Sequence, residues 1–161
     1  MNLEKAIGTF LRQKGWTLSI AESCTGGLVS DRITNISGSS DYFEGGIVSY
    51  SNRAKARHLS IPMKVIERHG AVSPQVARRM AQGVRKVFRT TFGLSTTGVA
   101  GPTGGTKKTP VGRVFIAVSE GKRTRVSKET FNGTRQTIKR KAAERSLLLL
   151  HGFLLEKTQS A

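Results

Sequence analysis

The chain has 161 residues, 37% of them hydrophobic, with 18 glycines and one cysteine, Cys24. This length suits a single domain over 1–161 with a real core; the lone cysteine excludes an internal disulfide and fits the reducing cytoplasm, and no apolar run approaches the ~20 residues of a membrane span. Lys and Arg number 27 against 10 Asp and Glu, for a net charge of +17, which makes anionic partners such as nucleic acid an open question while the aromatic content of 6% argues against a base-stacking surface.

Leu3, Ala6, Ile7, Phe10 and Leu11 recur at helical spacing, so 2–14 reads as an amphipathic helix ended by Gly15. This opening also lacks the apolar stretch of a signal peptide. Residues 16–21 alternate and are β-rich, a strand. AESCTGG follows at 21–27, and Leu28, Val29, Ile33 and Ile36 then resume a helical period. A turn at 36–40, a strand at 45–50 and a short helix at 51–59 come next. Ser73-Pro74 starts a helix, with Ser as N-cap and Pro at the first position, and its apolar face of Val76, Met80, Val84 and Phe88 runs to about 89. Residues 94–99 read as a buried strand, and 100–112, rich in Gly and Pro, as an exposed loop. Strands at 114–118 and 124–131 form a hairpin around Glu120-Gly121, and a last helix covers 136–156. Helices alternate with strands early and a hairpin comes late. The fold class is therefore α/β, a three-layer αβα sandwich with a mixed, partly parallel sheet. The run LLLLHGFLL at 147–155 is wider than one helix face needs, so the last helix is expected to be buried on more than one side, with a homodimer as one way to achieve it.

Two strand ends carry chemistry. AESCTGG and TTGVAGPTGG both follow strands, and in open α/β sheets ligands bind beyond the carboxyl ends of strands. Their glycines admit close backbone approach, and the helix N-terminus after Gly26 offers N–H groups to an anion. His58, His69 and His151 are scattered, with no metal-ligand spacing, so no metal or cofactor is expected. Ser23 could be activated by a histidine brought close in the fold, or by a lysine whose pKa is lowered by burial; Lys55, just after the second strand, can reach the same sheet edge. Glu22 either holds Lys55 or caps a backbone amide, and it is counted with the substrate-binding residues of the turn. Cys24 reads as a small buried side chain.

AESCTGG at 21–27, GSSDYFEGGIVSYSNRAK at 38–55, HGAVS at 69–73, TTGVAGPTGG at 96–105, PVGRVFIAV at 110–118 and FNGTR at 131–135 together resemble the CinA C-terminal-domain family. Its characterised members are nicotinamide-nucleotide amidases. The resemblance implies hydrolysis of the carboxamide of nicotinamide mononucleotide to nicotinate mononucleotide and ammonia, in pyridine-nucleotide recycling and without a metal. It places the catalytic serine on Ser23 and the characteristic tyrosine and lysine on Tyr50 and Lys55. On that reading Lys55 accepts the Ser23 proton, and Tyr50 orients the lysine or relays the proton. Backbone N–H groups of Thr25, Gly26 and Gly27 hold the oxyanion, a contribution of roughly 2.7–4 kcal/mol per donor. Thr97, Gly98 and Gly101 line the opposite wall, and Arg135 binds the substrate phosphate. Three positions depart from the family pattern: Thr134 replaces an Asp before Arg135, Lys139 an Arg, and Thr103 an Asp. They bear on the phosphate side of the site. A different class of function, a basic nucleic-acid-binding protein on an inactive amidase scaffold, draws on the charge and on the family's association with competence and DNA damage. Steep salt dependence of duplex binding would be its signature.

Overall fold

The computed structural model describes residues 2–159. Helix α1 (Leu3–Lys14) is capped by the Asn2 side chain, which accepts the Lys5 N–H at 2.9 Å, and ends at Gly15 with φ +63°. Strand β1 (Leu18–Glu22) leads through the glycine turn into α2 (Leu28–Thr34), and a 3₁₀ turn at Ser39–Asp41 precedes β2 (Phe43–Val48). Then come α3 (Asn52–Leu59), α4 (Met63–His69), α5 (Pro74–Phe88), β3 (Phe92–Gly98), β4 (Arg113–Glu120), β5 (Arg123–Thr130) and α6 (Arg135–Gln159). Every element expected from periodicity is present, with ends moved by a few residues. Helix α4 was not foreseen: seven residues are too few to show a period.

The five strands lie in the order β2-β1-β3-β4-β5. β1 runs parallel to β2 and to β3, whereas β3–β4 and β4–β5 are antiparallel. Helices α1, α2 and α6 cover one face and α3, α4 and α5 the other, giving the mixed three-layer sandwich. Much of the apolar breadth of α6 is used within the chain, while Leu148 and Leu155 stay exposed. Ile138, Ala142, Leu147, Leu150, Phe153 and Leu154 are all buried as the helix packs on α1, α2 and the sheet. No helix of the described residues is long and apolar enough to cross a membrane.

This topology positions the site. The parallel strands β1, β2 and β3 all present their carboxyl ends at one edge, and α2 and α3 start there. α5 lies unusually close on β3, because a Cβ added at Gly93 would come 2.0 Å from the Ala81 carbonyl oxygen. Gly93→Ala must therefore lift the helix off the sheet. It should lower stability by about 2–3 kcal/mol or more, in the upper range of overpacking costs because the obstacle is backbone. Urea denaturation measures this, and an unchanged midpoint would show that the close approach is not needed.

Candidate active site

Successive side chains of β1 point to opposite faces. Leu18, Ile20 and Glu22 face the α1–α2–α6 layer; Ala21, and Ser23 just beyond the strand, face α3 and α5. Lys55 reaches the second face from α3, whose first turn is capped by Ser51 accepting the Ala54 N–H at 3.0 Å. The lysine is only 1% exposed. Its Nζ donates to Ser23 Oγ at 3.0 Å, to the Ser49 carbonyl at 2.9 Å and to the Tyr50 carbonyl at 3.4 Å. The two carbonyls can only accept, so they take up two of the ammonium's three hydrogens. The third direction points at Ser23. When Lys55 loses a proton, its lone pair faces the serine hydroxyl.

Burial lowers the Lys55 pKa to about 8; a negative charge on Cys24 would oppose the shift. That charge is absent at neutral pH, because burial pushes the Cys24 thiol up to about 12. The thiol is thus a poor nucleophile, in keeping with its reading as a packed side chain. At pH 7, about a tenth of Lys55 is neutral.

Glu22 does not hold Lys55. Its Oε2 accepts from Thr25 Oγ1 (2.6 Å), Gly27 N (3.0 Å) and Val29 N (3.0 Å), and its Oε1 from Ser30 N (2.8 Å) and Ser30 Oγ (2.7 Å). The carboxylate clamps the N-terminus of α2, where negative charge is favoured. Of the two alternatives open in the sequence, this is backbone capping, and it leaves Glu22 no oxygen turned to a substrate. Thr25 gives its one hydroxyl hydrogen to Glu22, so Thr96 must be the donor in the 2.7 Å contact between the two threonine hydroxyls. Thr96 sits at this clamp without having been singled out in the sequence. Only the register Glu22↔Thr96 brings it there.

The expected oxyanion donors are reduced by bonds within the turn. The Gly26 N–H donates to the Ser23 carbonyl at 3.1 Å and the Gly27 N–H to Glu22. Of the three expected N–H groups, Thr25's alone takes no acceptor among the described residues. Gly26 and Gly27 have φ +62° and +103°, so their role is to let the chain turn sharply behind Ser23.

The residues expected on the opposite wall have structural partners. Thr97 is the next residue after the Glu22↔Thr96 pair, and its hydroxyl donates to the Ala71 carbonyl at 2.8 Å. Gly98 is explained by packing: a Cβ there would lie 2.7 Å from the Arg113 carbonyl oxygen. Gly101 meets the site through its carbonyl, which accepts from Arg135 Nη1 at 2.7 Å. Arg135 Nη2 donates to the Tyr50 hydroxyl at 2.6 Å. The Tyr50 ring, 57% exposed, is thus turned to Arg135 at the rim, and it is the Tyr50 carbonyl that touches Lys55. This differs from the expectation that its phenol orients the lysine.

Lys139, flagged only as a departure, stands over the turn, its Nζ 3.5 Å from where a Gly26 Cβ would be. Thr134 caps α6, its hydroxyl accepting the Thr137 N–H at 3.3 Å, a task Thr and Asp share. Thr103 is exposed. Among the described residues no group of three His, Cys, Asp or Glu is placed to hold a metal.

A family model described as CinA C-terminal domain matches residues 1–154. A CinA-like protein of Syntrophobacter fumaroxidans is 49% identical over 154 residues, 96% of this chain and 36% of the relative. One of Syntrophus aciditrophicus is 47% identical over 153 residues, 94% of this chain and 36% of the relative. The chain therefore spans about a third of the length of these curated relatives. The crystal structure of a competence-damaged protein (CinA) superfamily protein from Klebsiella pneumoniae matches with a TM-score of 0.92 at 26% identity, covering 96% of each chain. One from Enterobacter cloacae matches at 0.91 and 34% identity, over 94% of this chain and 90% of that one.

The buried lysine carries a stability signature. Its folded pKa of about 8 lies below the unfolded value of 10.5, so between these values the unfolded chain binds more protons and stability rises with pH. Below pH 8 the full penalty applies, up to about 3 kcal/mol. Lys55→Met is expected to melt no lower than the wild type at pH 7 and to lose the rise between pH 8 and 10.5. A variant several degrees less stable at pH 7, with the pH profile retained, would show that the site stabilises the ammonium.

Proposed function

The chain belongs to the CinA C-terminal domain family, and from that premise we propose that it hydrolyses the carboxamide of nicotinamide mononucleotide to nicotinate mononucleotide and ammonia. The observation that carries this reading is Lys55 Nζ, buried without a carboxylate partner among the described residues, 3.0 Å from Ser23 Oγ. A lysine in that state is a base matched to a serine nucleophile near neutral pH.

Neutral Lys55 takes the Ser23 proton as Oγ bonds to the amide carbon, and the carbonyl π-electrons move onto oxygen. The Thr25 N–H is the nearby backbone donor for that oxyanion. Lys55 then returns the proton to the departing nitrogen, the C–N bond breaks, ammonia leaves and an acyl-serine remains. Water attacks the ester carbon and gives a proton to Lys55. The C–Oγ bond breaks, Ser23 is reprotonated, and the carboxylate product forms. Arg135 and Lys139 supply positive charge at the rim for the substrate phosphate, Arg135 with guanidinium N–H groups beyond those bonded to Tyr50 and Gly101. Lys139 acts as a point charge without the fork of an arginine.

Ammonia release from nicotinamide mononucleotide tests this. Ser23→Ala and Lys55→Ala should each lose activity by about three orders of magnitude or more with folds intact. Wild-type turnover of zero would end the reading. The pH profile has a required sign: because Lys55 must be neutral, log kcat/KM should climb as pH rises towards about 8 and level off above it. A rate that falls over that range would exclude Lys55 as the base. Arg135→Ala should raise KM by about tenfold while changing kcat less, if its work is phosphate binding. Equal loss in both parameters would place it in the chemistry instead.

A further inference from the structure

Apart from the Ser23 site, a cavity of about 270 Å³ opens between the end of α4, the start of α5, the β3–β4 connection and the hairpin strands. Four basic side chains line it from four separate segments: Arg68 of α4, Lys108 of the connection, Arg113 of β4 and Lys128 of β5. Among the described residues no Asp or Glu lines it. None of the four makes an ion pair among the described residues. Elsewhere on the chain basic side chains do find acids: Arg123 and Arg125 share Glu156, Arg145 pairs with Glu129, and Lys157 with Glu120. Arg113 is aimed by its Nε, which donates to Thr130 Oγ1 at 3.0 Å, leaving its Nη groups unbonded among the described residues.

Concave geometry matters here. Like charges that converge on a cavity reinforce one potential, whereas the same charges spread on a convex surface are screened separately. Helix α5 adds to it. Ser73 caps the helix by accepting the Val76 N–H, Ser73 and Gln75 line the cavity, and the first turn contains no acid to offset the positive end of the helix. The volume is several times the ~30 Å³ share of a water molecule yet lies below the ~300–1,000 Å³ range of pockets that enclose a whole organic ligand.

We propose that this cavity binds a multiply charged phosphate group, a pyrophosphate moiety, at a site distinct from Ser23. Four cations exceed what one phosphate needs, and the size admits two linked phosphates with the remainder of a ligand outside. The proposal is independent of the amide reaction. It does place the ligand beside the connection that serves both sites, since Gly101 holds Arg135 at one end and Lys108 lines the cavity at the other.

Inorganic pyrophosphate is the probe, titrated calorimetrically into the full chain at about 50 and 200 mM salt. One saturable site per chain is expected, weakening as salt rises. The double variant Lys108→Ala/Lys128→Ala should bind about tenfold less tightly or worse. Lys86→Ala/Lys122→Ala, which removes two exposed cations outside the cavity, should stay within about twofold of wild type. Ammonia release should be unchanged in both, because neither pair belongs to the Ser23 site. Equal weakening by the two pairs would reduce the effect to diffuse charge and overturn the proposal. So would weakening by Arg135→Ala but not by Lys108→Ala/Lys128→Ala, which would put the anion in the Ser23 site. Absence of saturable binding, or displacement of pyrophosphate by single-stranded DNA whose affinity depends equally on Lys86 and Lys122, would overturn it as well.

Discussion

The pleat at the carboxyl end of β1 separates two neighbours that would defeat each other on the same side. Glu22 goes to one face and Ser23 to the other. Were the carboxylate on the face of Ser23, it would pair with Lys55 and keep the amine charged. An ammonium cannot accept a proton. Sent to the opposite face, Glu22 instead satisfies the N-terminus of α2 with five hydrogen bonds and makes the turn behind Ser23 rigid. Lys55 is left with neutral partners, two carbonyls and the Ser23 hydroxyl, and desolvation lowers its pKa. One geometrical rule thus leaves a serine hydroxyl beside a buried lysine of lowered pKa.

The rim is built by other means. Arg135, the first residue of α6, ties the Tyr50 ring to the Gly101 carbonyl and so joins the β2–α3 connection, the β3–β4 connection and the last helix at one point. A mostly cationic rim suits an anionic substrate, and Lys139 extends it over the glycine turn. The same connection reaches the basic cavity at the start of α5. Charge in this chain is therefore arranged: some cations are matched with Glu120, Glu129 and Glu156, others are gathered unpaired around concave ground.

Much of this was readable from residue order. Ser73-Pro74 announced α5 because capping chemistry is local, and the mixture of alternating strands and periodic helices implied a layered α/β fold. Ser23 and Lys55 could be singled out as partners because both lie just beyond strand ends on a shared edge. The glycines were less legible. Gly26 and Gly27 turn the chain, Gly98 makes room for β4 and Gly93 for α5, and a glycine in a sequence does not say which of these it does. Thr96 passed unnoticed because its meaning depends on which residue stands beside it in the neighbouring strand.

Residue order by itself determined every element but α4, the end of α1 at Gly15, the Ser73-Pro74 start of α5, the family resemblance and the choice of Ser23 and Lys55 as candidates, since all of these depend on local patterning or on matched motifs. Tertiary structure alone decided which face each side chain serves, that Glu22 caps rather than pairs, that the Tyr50 hydroxyl meets Arg135 instead of Lys55, and that Arg68, Lys108, Arg113 and Lys128 surround one cavity. The reason is physical. Strand register and helix packing set distances between residues far apart in the chain, and the pKa of a lysine depends on what remains around it once water has been excluded.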